Sequence, residues 1–500
     1  MSKRSAARAE KPCPALGVGI SYSAAIEPLL EQHPDLCDLI EIEPQTTWFE
    51  TRGSPEPYRI AAEVLEHIAQ LPGRKLVHSV GVPVGGTIRP HPAQVALLRR
   101  TVERFDTPWI SEHLSFNATP AFKTGFLLPP RQTPEGVETA ARAIRELQTA
   151  LQVPVAVETG VNYLRPRRDE LPDGAFVAAV VETADCGILL DLHNIFANSL
   201  NGRSSVEAFL AQLPLDRVWE IHLAGGFELE GFWLDAHSGA IPETLFEIAK
   251  QVVPALPNLK AMIFEIFPSF VPLVGLETIR KQIEKLHELW ALRGQVRQER
   301  RSMRRGQHPV LNEKHVRVSP AAWEGALGAL AIGRPPTDDI ARVLTADPGI
   351  RIINRLIREF RASMLVRVLR LTARLMMLAL GVDVFRVILA DFWSKTPPQQ
   401  FASSEAEAFA VYLEALDLKV PQLAKVLEFE RAVLATLLDE RPRIVAFDSD
   451  PLPLFRALTE GHLPDVPGQL GHFEIEVTPD GPSGATGLDI GAMQQTFLPH

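Results

Sequence analysis

Cysteine is nearly absent from this chain. Cys13, Cys37 and Cys186 are the three in 500 residues, far apart and without a C-x-x-C pair, which excludes a disulfide framework and a thiolate zinc site. Excess positive charge is missing too. The 51 Lys and Arg against 61 Asp and Glu leave a formal charge of −10, the wrong sign for a protein whose main task is to coat nucleic acid. No apolar run is long enough to span a bilayer. The closest, "SMLVRVLRLTARLMMLALGVDVF", is broken by Arg367, Arg370 and Arg374 and reads as a buried helix, so no membrane partner is expected. The N-terminal "MSKRSAARAEKPCPALG" has early positive charge but lacks the apolar core of a signal peptide, which points to the cytoplasm. What is there is an ordinary globular composition, 46% hydrophobic and 22% charged, long enough for two domains or three.

Residues 14–290 alternate short apolar runs with helix-like segments. The runs are "LGVGI", "DLIEIEP", "KLVHSVG", "PWISEHL", "VPVAVETG", "CGILLDLHN", "RVWEIHLAG" and "KAMIFEIFP", separated by stretches such as "TPEGVETAARAIRELQTAL". Near-continuous apolar runs alternating with helices predict βαβ units and a parallel sheet. Eight units in about 270 residues fit a (β/α)8 TIM barrel. A doubly wound sheet would carry a glycine-rich turn after its first strand, and "GVGISYS" is a weak version of one.

The strand interiors are apolar, but their C-terminal ends are not: they carry Glu41 and Glu43, His78, Glu112 and His113, Glu158, Asp191, His222 and Glu265. A barrel brings all these ends to one mouth, where active sites lie. A lone strand-end Glu is usually solvated and a lone strand His usually a hydrogen-bonded core residue. Six successive strands ending in His, Glu or Asp weaken that reading, because so many carboxylates are costly together unless cations neutralise them. The stretch "IHLAGGFELEGFWLDAHSG" adds Asp235 and His237 just after the seventh strand. The donors are nitrogen and oxygen without sulfur, which suits zinc, iron or manganese, and their number predicts a cluster of two or three metals bridged by glutamates.

"GVGISY", "SEHLSF" followed by "LLPP", "LLDLHN", and "EIHLAGG" followed by "LDAHSGAIP" resemble the multinuclear non-haem iron-dependent oxidases, the family that includes the methanobactin-biosynthesis oxidase. The resemblance covers roughly residues 14–285 and implies a (β/α)8 barrel with a mouth similar to those of endonuclease-IV-type phosphodiesterases and sugar isomerases. It implies that His78 and His113 hold a first metal, with Glu158 bridging to a second held by Asp191, His222 and Glu265. Asp235, His237 and Asn194 would bind a third, with His193 beside it. It implies two or three iron ions, ferrous and ferric, dioxygen as co-substrate, and a ribosomally made precursor peptide modified at cysteine. Two positions depart from the pattern. Thr159 follows Glu158 where the family usually has Asn, and Gly226 stands where it usually has a second His; the substrate contacts therefore differ.

Beyond the barrel, residues 291–319 read as a basic linker in which Arg293, Arg297, Arg300, Arg301, Arg304 and Arg305 recur at helical spacing. Residues 320–480 are mainly helical in periodicity, with one alternating stretch, "GHFEIEVTP", and resemble the partner proteins that help such oxidases recognise the leader of a precursor peptide. Residues 481–500 read as a flexible tail. Two other readings stay open: a zinc-dependent phosphodiesterase of the abasic-endonuclease type or a sugar isomerase on the same barrel, and a non-catalytic binding protein. The acidic charge and the lack of a basic stripe speak against a nucleic-acid partner. The full ligand set speaks against a degenerate barrel.

Overall fold

The eight apolar runs form eight parallel strands: β1 Gly17–Ser21, β2 Leu39–Ile42, β3 Arg74–Ser79, β4 Ile110–His113, β5 Val155–Glu158, β6 Gly187–Asp191, β7 Val218–Ala224 and β8 Ala261–Glu265. The structure, a computed structural model, describes residues 14–51, 55–294, 318–416, 418–465, 468–479 and 481–483. The strands close in the order β1-β8-β7-β6-β5-β4-β3-β2, which leaves no edge strand in the sheet. Leu39, Leu76, Trp109, Leu189 and Ile263 plug the interior, so the barrel is a packed core rather than a pore. Local sequence sets the helix ends. Thr133, Ser319 and Asp347 each cap a helix whose first residue is proline, the arrangement that satisfies exposed N–H groups and presets the first turn.

The chain after the barrel is helical: Pro320–Ala331, Asp339–Thr345, Pro348–Val368, Arg370–Leu380, Val382–Lys395, Ala402–Glu414 and Leu423–Asp439. A small antiparallel sheet follows, β9 Arg443–Ser449, β10 Leu470–Thr478 and β11 Gly481–Ser483, with the helix Leu452–Glu460 between its first two strands. The alternating "GHFEIEVTP" lies in β10; its partner β9 carried no signal that sequence reasoning recognised. The run "RIINRLIREFRASMLVRVLRLTARLMMLALG" reads as one helix but breaks at Leu369. The buried Glu430 carboxylate accepts the N–H groups of Leu371 at 2.6 Å and Thr372 at 2.8 Å, capping a new helix there. Among the described residues, no helix is long and apolar enough to cross a membrane. Of the linker arginines, Arg293 folds back over Trp290, 3.9 Å from its ring centroid; residues 295–317, with the other five, and 484–500 of the tail lie outside the described residues.

The first C-terminal helices do not stand apart from the barrel. Trp323, Leu327, Ile353 and Ile357 share one apolar core with Phe116, Leu128, Tyr163 and Leu234 from the barrel's loops. The Trp323 indole donates to the Pro129 carbonyl at 3.1 Å, and the Arg131 guanidinium lies 4.8 Å from its ring centroid. The buried Glu324 carboxylate accepts from the Thr87 N–H at 2.8 Å and from the Thr87 hydroxyl. A second core, with Phe392, Phe409, Phe429 and Phe455, lies farther along the chain. Truncating Trp323 to Ala is expected to cost about 3–5 kcal/mol and to lower the barrel's own melting transition. A barrel transition left unmoved in calorimetry would show that the shared core carries no stability.

Candidate metal centre

Six strands, β3 to β8, each deliver a side chain into the mouth. Glu158, Asp191 and Glu265 are the last residues of β5, β6 and β8, and His113 the last of β4; His78 and His222 lie near the ends of β3 and β7. The His78 and His113 Nε2 atoms are 3.3 and 3.0 Å from Glu158 Oε2. His222 Nδ1 is 3.1 Å from Glu265 Oε1, and His237 Nε2 is 3.4 Å from Glu265 Oε2 and 2.7 Å from Asp235 Oδ1. Besides the group Glu41, Glu220 and His222, three groups could each hold an ion: His78, His113 and Glu158; Glu158, Asp191 and His222; Asp191, His237 and Glu265. Glu158 is common to the first two and Asp191 to the last two. Asn194 touches the middle of the cluster, donating its backbone N–H to Asp191 Oδ1 at 2.8 Å and its amide to Glu158 Oε1 at 3.2 Å.

The donor atoms fit metal ions. Glu158 Oε2, Asp191 Oδ2, Asn194 Oδ1, His222 Nδ1, Asp235 Oδ1, His237 Nε2 and Glu265 Oε2 are buried without a well-formed hydrogen bond, their short approaches being to other donor atoms of the cluster, an arrangement native proteins avoid unless an ion or water serves them. Two donors each about 2.1 Å from one ion, roughly at right angles, lie about 3 Å apart, the spacing seen here.

The opposite ring nitrogens are held by the protein. His78 Nδ1 meets Ser111 Oγ at 2.9 Å, His113 Nδ1 faces the Ser79 carbonyl at 3.4 Å and Glu112 Oε1 at 3.5 Å, and His222 Nε2 lies 3.2 Å from Glu41 and 3.6 Å from Glu220. Such outer partners fix which nitrogen faces a metal. Glu41 and Glu112, noted in the sequence as strand-end acids, belong to this outer set. Glu220 was missed. It sits in mid-strand two residues before His222, a spacing that puts both on the same face of β7.

The stretch after β7 is a β-hairpin, Phe227–Leu229 against Phe232–Leu234. Its tip, Glu230 and Gly231, has φ of 52° and 82°, the left-handed pair that tight hairpin turns require. The Trp233 indole N–H donates to His193 Nε2 at 3.2 Å. That bond leaves the His193 proton on Nδ1, which faces Asp235 Oδ1 at 3.5 Å, so His193 acts on Asp235 rather than on an ion. Gly226 makes the contact possible: a Cβ there would stand 2.6 Å from His193 Nε2, Trp233 Nε1 and the Leu234 carbonyl. The other departure, Thr159, is buried with its hydroxyl unpartnered. Gly226→Ala is expected to destabilise the protein by about 1–3 kcal/mol and to lower its metal content, read by calorimetry and elemental analysis. Unchanged values in both would sink this reading of the hairpin.

The charges set a pH dependence. Burial holds His78 down to about 4, so it is neutral and ready to ligate. Burial also pulls His237 down, but Glu265 and Asp235 outweigh it and lift the imidazole to about 10. Burial alone would raise Glu265; His222 and His237 hold it well below the carboxylate range. In the metal-free protein His237 therefore keeps a proton through neutral pH. A metal must displace that proton, so apparent affinity should rise with pH, about tenfold per unit for one proton. Calorimetry in buffers of different ionisation enthalpy should show the proton released on binding; no release would contradict the assignment.

A closed parallel (β/α)8 barrel with histidines and carboxylates clustered at its C-terminal mouth defines the class of this protein. Residues 16–287 match the family described as "RiPP precursor modification enzyme MbnB/TglH/ChrH", more than half of the chain, and the chain belongs to that family. Curated relatives carry the name UPF0276 protein. One from Chromobacterium violaceum is 36% identical over 177 residues, 35% of this chain and 64% of its own length. Another, from Streptomyces avermitilis, is 28% identical over 285 residues, 54% of this chain and 55% of its own. The chain thus spans less than two thirds of either relative. Among solved structures, endonuclease IV from Thermus thermophilus is similar at 16% identity over 56% of this chain and 99% of that one, TM-score 0.35. A xylose isomerase domain protein from Planctomyces limnophilus is similar at 15% identity over 56% and 96%, TM-score 0.34.

Proposed function

We propose that this protein is a multinuclear iron-dependent oxidase that uses dioxygen to modify cysteine in a ribosomally made precursor peptide. The observation that carries the reading is the convergence of His78, His113, His222 and His237 with Glu158, Asp191, Asp235 and Glu265, many of their inward atoms without a well-formed hydrogen bond. His78, His113 and Glu158 hold one iron. Asp191 and His222 complete a second site with Glu158, and Asp235, His237 and Glu265 serve a third, with Asn194 alongside. Two or three ferrous and ferric ions are bound on this reading. Iron held there supplies one-electron chemistry toward dioxygen and affinity for a thiolate sulfur.

The chain's own residues hold, orient and shield. Glu41, Glu220, Ser111 and Glu112 keep the imidazoles turned inward. The Phe267 ring lies 4.6 Å from the His237 ring, and Phe232 packs on Tyr163, aromatic surface beside the third group. From the C-terminal region, the Arg367 charge acts on Glu43 beside the centre. We assign that region to holding the leader of the peptide; neither nucleic acid nor membrane has a part. Because the nitrogen and oxygen donors also suit zinc, the test separates the metals. Co-expression with a Cys-containing precursor peptide should give an iron-dependent mass change that His222→Ala abolishes. No change in any such peptide, with zinc-dependent cleavage of abasic DNA, would replace this reading by the phosphodiesterase one.

A further inference from the structure

One polar line runs from the metal centre down through the apolar plug. His222 turns Nδ1 toward Glu265 and Nε2 toward Glu41, 3.2 Å away, with Glu220 Oε1 beside it at 3.6 Å. Glu220 lies one layer deeper in the barrel, and its other oxygen, Oε2, accepts the Trp109 indole N–H at 3.0 Å. His222, Glu220 and Trp109 are all fully buried. Beneath them the Trp109 ring meets Trp219 edge to face, centroids 6.4 Å apart and planes at 68°.

Trp219 reaches that place by a fault in the strand. Ile188 pairs with Val218 and Leu189 with Glu220, so Trp219 is the extra residue of a β-bulge, the device that re-aims a side chain. Gly187 makes the room: a Cβ there would lie 2.3 Å from the Trp219 ring. Trp219 is half-buried, with the Lys260 ammonium 5.2 Å from its ring centroid, at the end of the barrel opposite the mouth. A buried carboxylate is costly, and neither the bulge nor the glycine is needed merely to orient His222. Indole is among the side chains most easily oxidised by one electron, and a carboxylate at its N–H favours positive charge on the ring.

We propose that His222, Glu220, Trp109 and Trp219 form an electron-transfer line between the metal centre and the closed end of the barrel. The inference rests on the reading of the centre as a redox-active metal site. When the centre is left one oxidising equivalent above its resting state without a peptide to oxidise, Trp109 gives it one electron. The centre is reduced by one, and Trp109 becomes an indole radical cation. Trp219 then returns one electron to Trp109, and a one-electron reductant in solvent, a thiol or ascorbate, restores Trp219. No bond is made or broken, and the indole proton stays in its hydrogen bond to Glu220. The Lys260 charge opposes a positive Trp219 ring, so the hole rests on Trp109 until a reductant arrives.

The test uses the iron-reconstituted full chain, treated with hydrogen peroxide without peptide and freeze-quenched for electron paramagnetic resonance. The wild type should show an organic radical near the free-electron g value whose hyperfine pattern changes when tryptophan is ring-deuterated. Trp109→Phe should lose that signal at unchanged iron content. Trp219→Phe should keep it but prolong its life several-fold under ascorbate. Glu220→Gln, which keeps the side chain's size without its charge, should lower the radical yield and carries the test if Trp109→Phe fails to fold. An iron-loaded wild type with no radical, or a radical that survives in Trp109→Phe, overturns the line while leaving the metal centre standing. A wild type that takes up no iron overturns both.

Discussion

The dominant constraint in this molecule is the mutual repulsion of carboxylates packed into one barrel mouth and the layer beneath it. Glu41, Glu112, Glu158, Asp191, Glu220 and Glu265 are each at most 3% exposed, and Asp235 and Glu43 face the same space. Negative charges so placed cost several kcal/mol each unless positive charge or hydrogen bonds offset them. Without metal, burial raises Glu41 and Asp191 well above the usual carboxylate range, and the rest of the compensation falls on the imidazoles. Burial opposes charge on His113 and His222, yet Glu158 beside the one and Glu265 beside the other raise both well above the usual histidine range. A bound cation takes over what those protons do. The rigid plug beneath keeps the groups from moving apart to relieve the strain, because packed cores have few alternative arrangements.

The C-terminal region meets the hairpin through both charge and apolar contact. Its long helix Pro348–Val368 is rich in arginine, and Arg351 and Arg355 reach Glu230 at the tip of the hairpin, at 3.2 and 2.6 Å. These pairs are partly exposed and contribute little individually. Apolar contact carries the attachment: Leu234 and Ala236, the neighbours of Asp235, lie in the core shared with Trp323 and Ile353. The loop bearing Asp235 and His237 is thus packed between the barrel and the helical region, and a sequence that loses either support loosens both residues.

Much of this was legible before the structure. Eight apolar runs with polar C-terminal ends are a one-dimensional record of a barrel mouth, since strand direction fixes which end of each run faces the site. Features that depend on pairing were not. Glu220 hides inside an apolar run, and its function comes from the indole of Trp109, 111 residues away. The bulge at Trp219 exists in the register between β6 and β7 and in no local pattern. The break at Leu369 is imposed by Glu430 from a distant helix, overriding a helical periodicity that continues through it. Arg367 looked like an interruption of an apolar run, yet its charge acts on Glu43 at the mouth.

Gly226 joins these levels. In sequence it is a missing histidine; in the structure it is the space in which the Trp233 N–H reaches His193 Nε2. With that lone pair engaged, His193 can offer its other nitrogen only as a proton donor, and it points that donor at Asp235. A donor at one carboxylate oxygen withdraws charge and orients the group, whereas a ligand would have added charge to the ion. In the proposed centre the third group is therefore poorer in nitrogen donors than its histidine count suggests, resting on His237 with Asp235, Glu265 and Asp191. Hard oxygen donors and few imidazoles leave coordination positions for water or an incoming group, next to the exposed Phe227 and Phe267 rings. The absence of one side chain thus sets the hydrogen bonding of a neighbouring histidine and, with it, the donor set of the proposed third group.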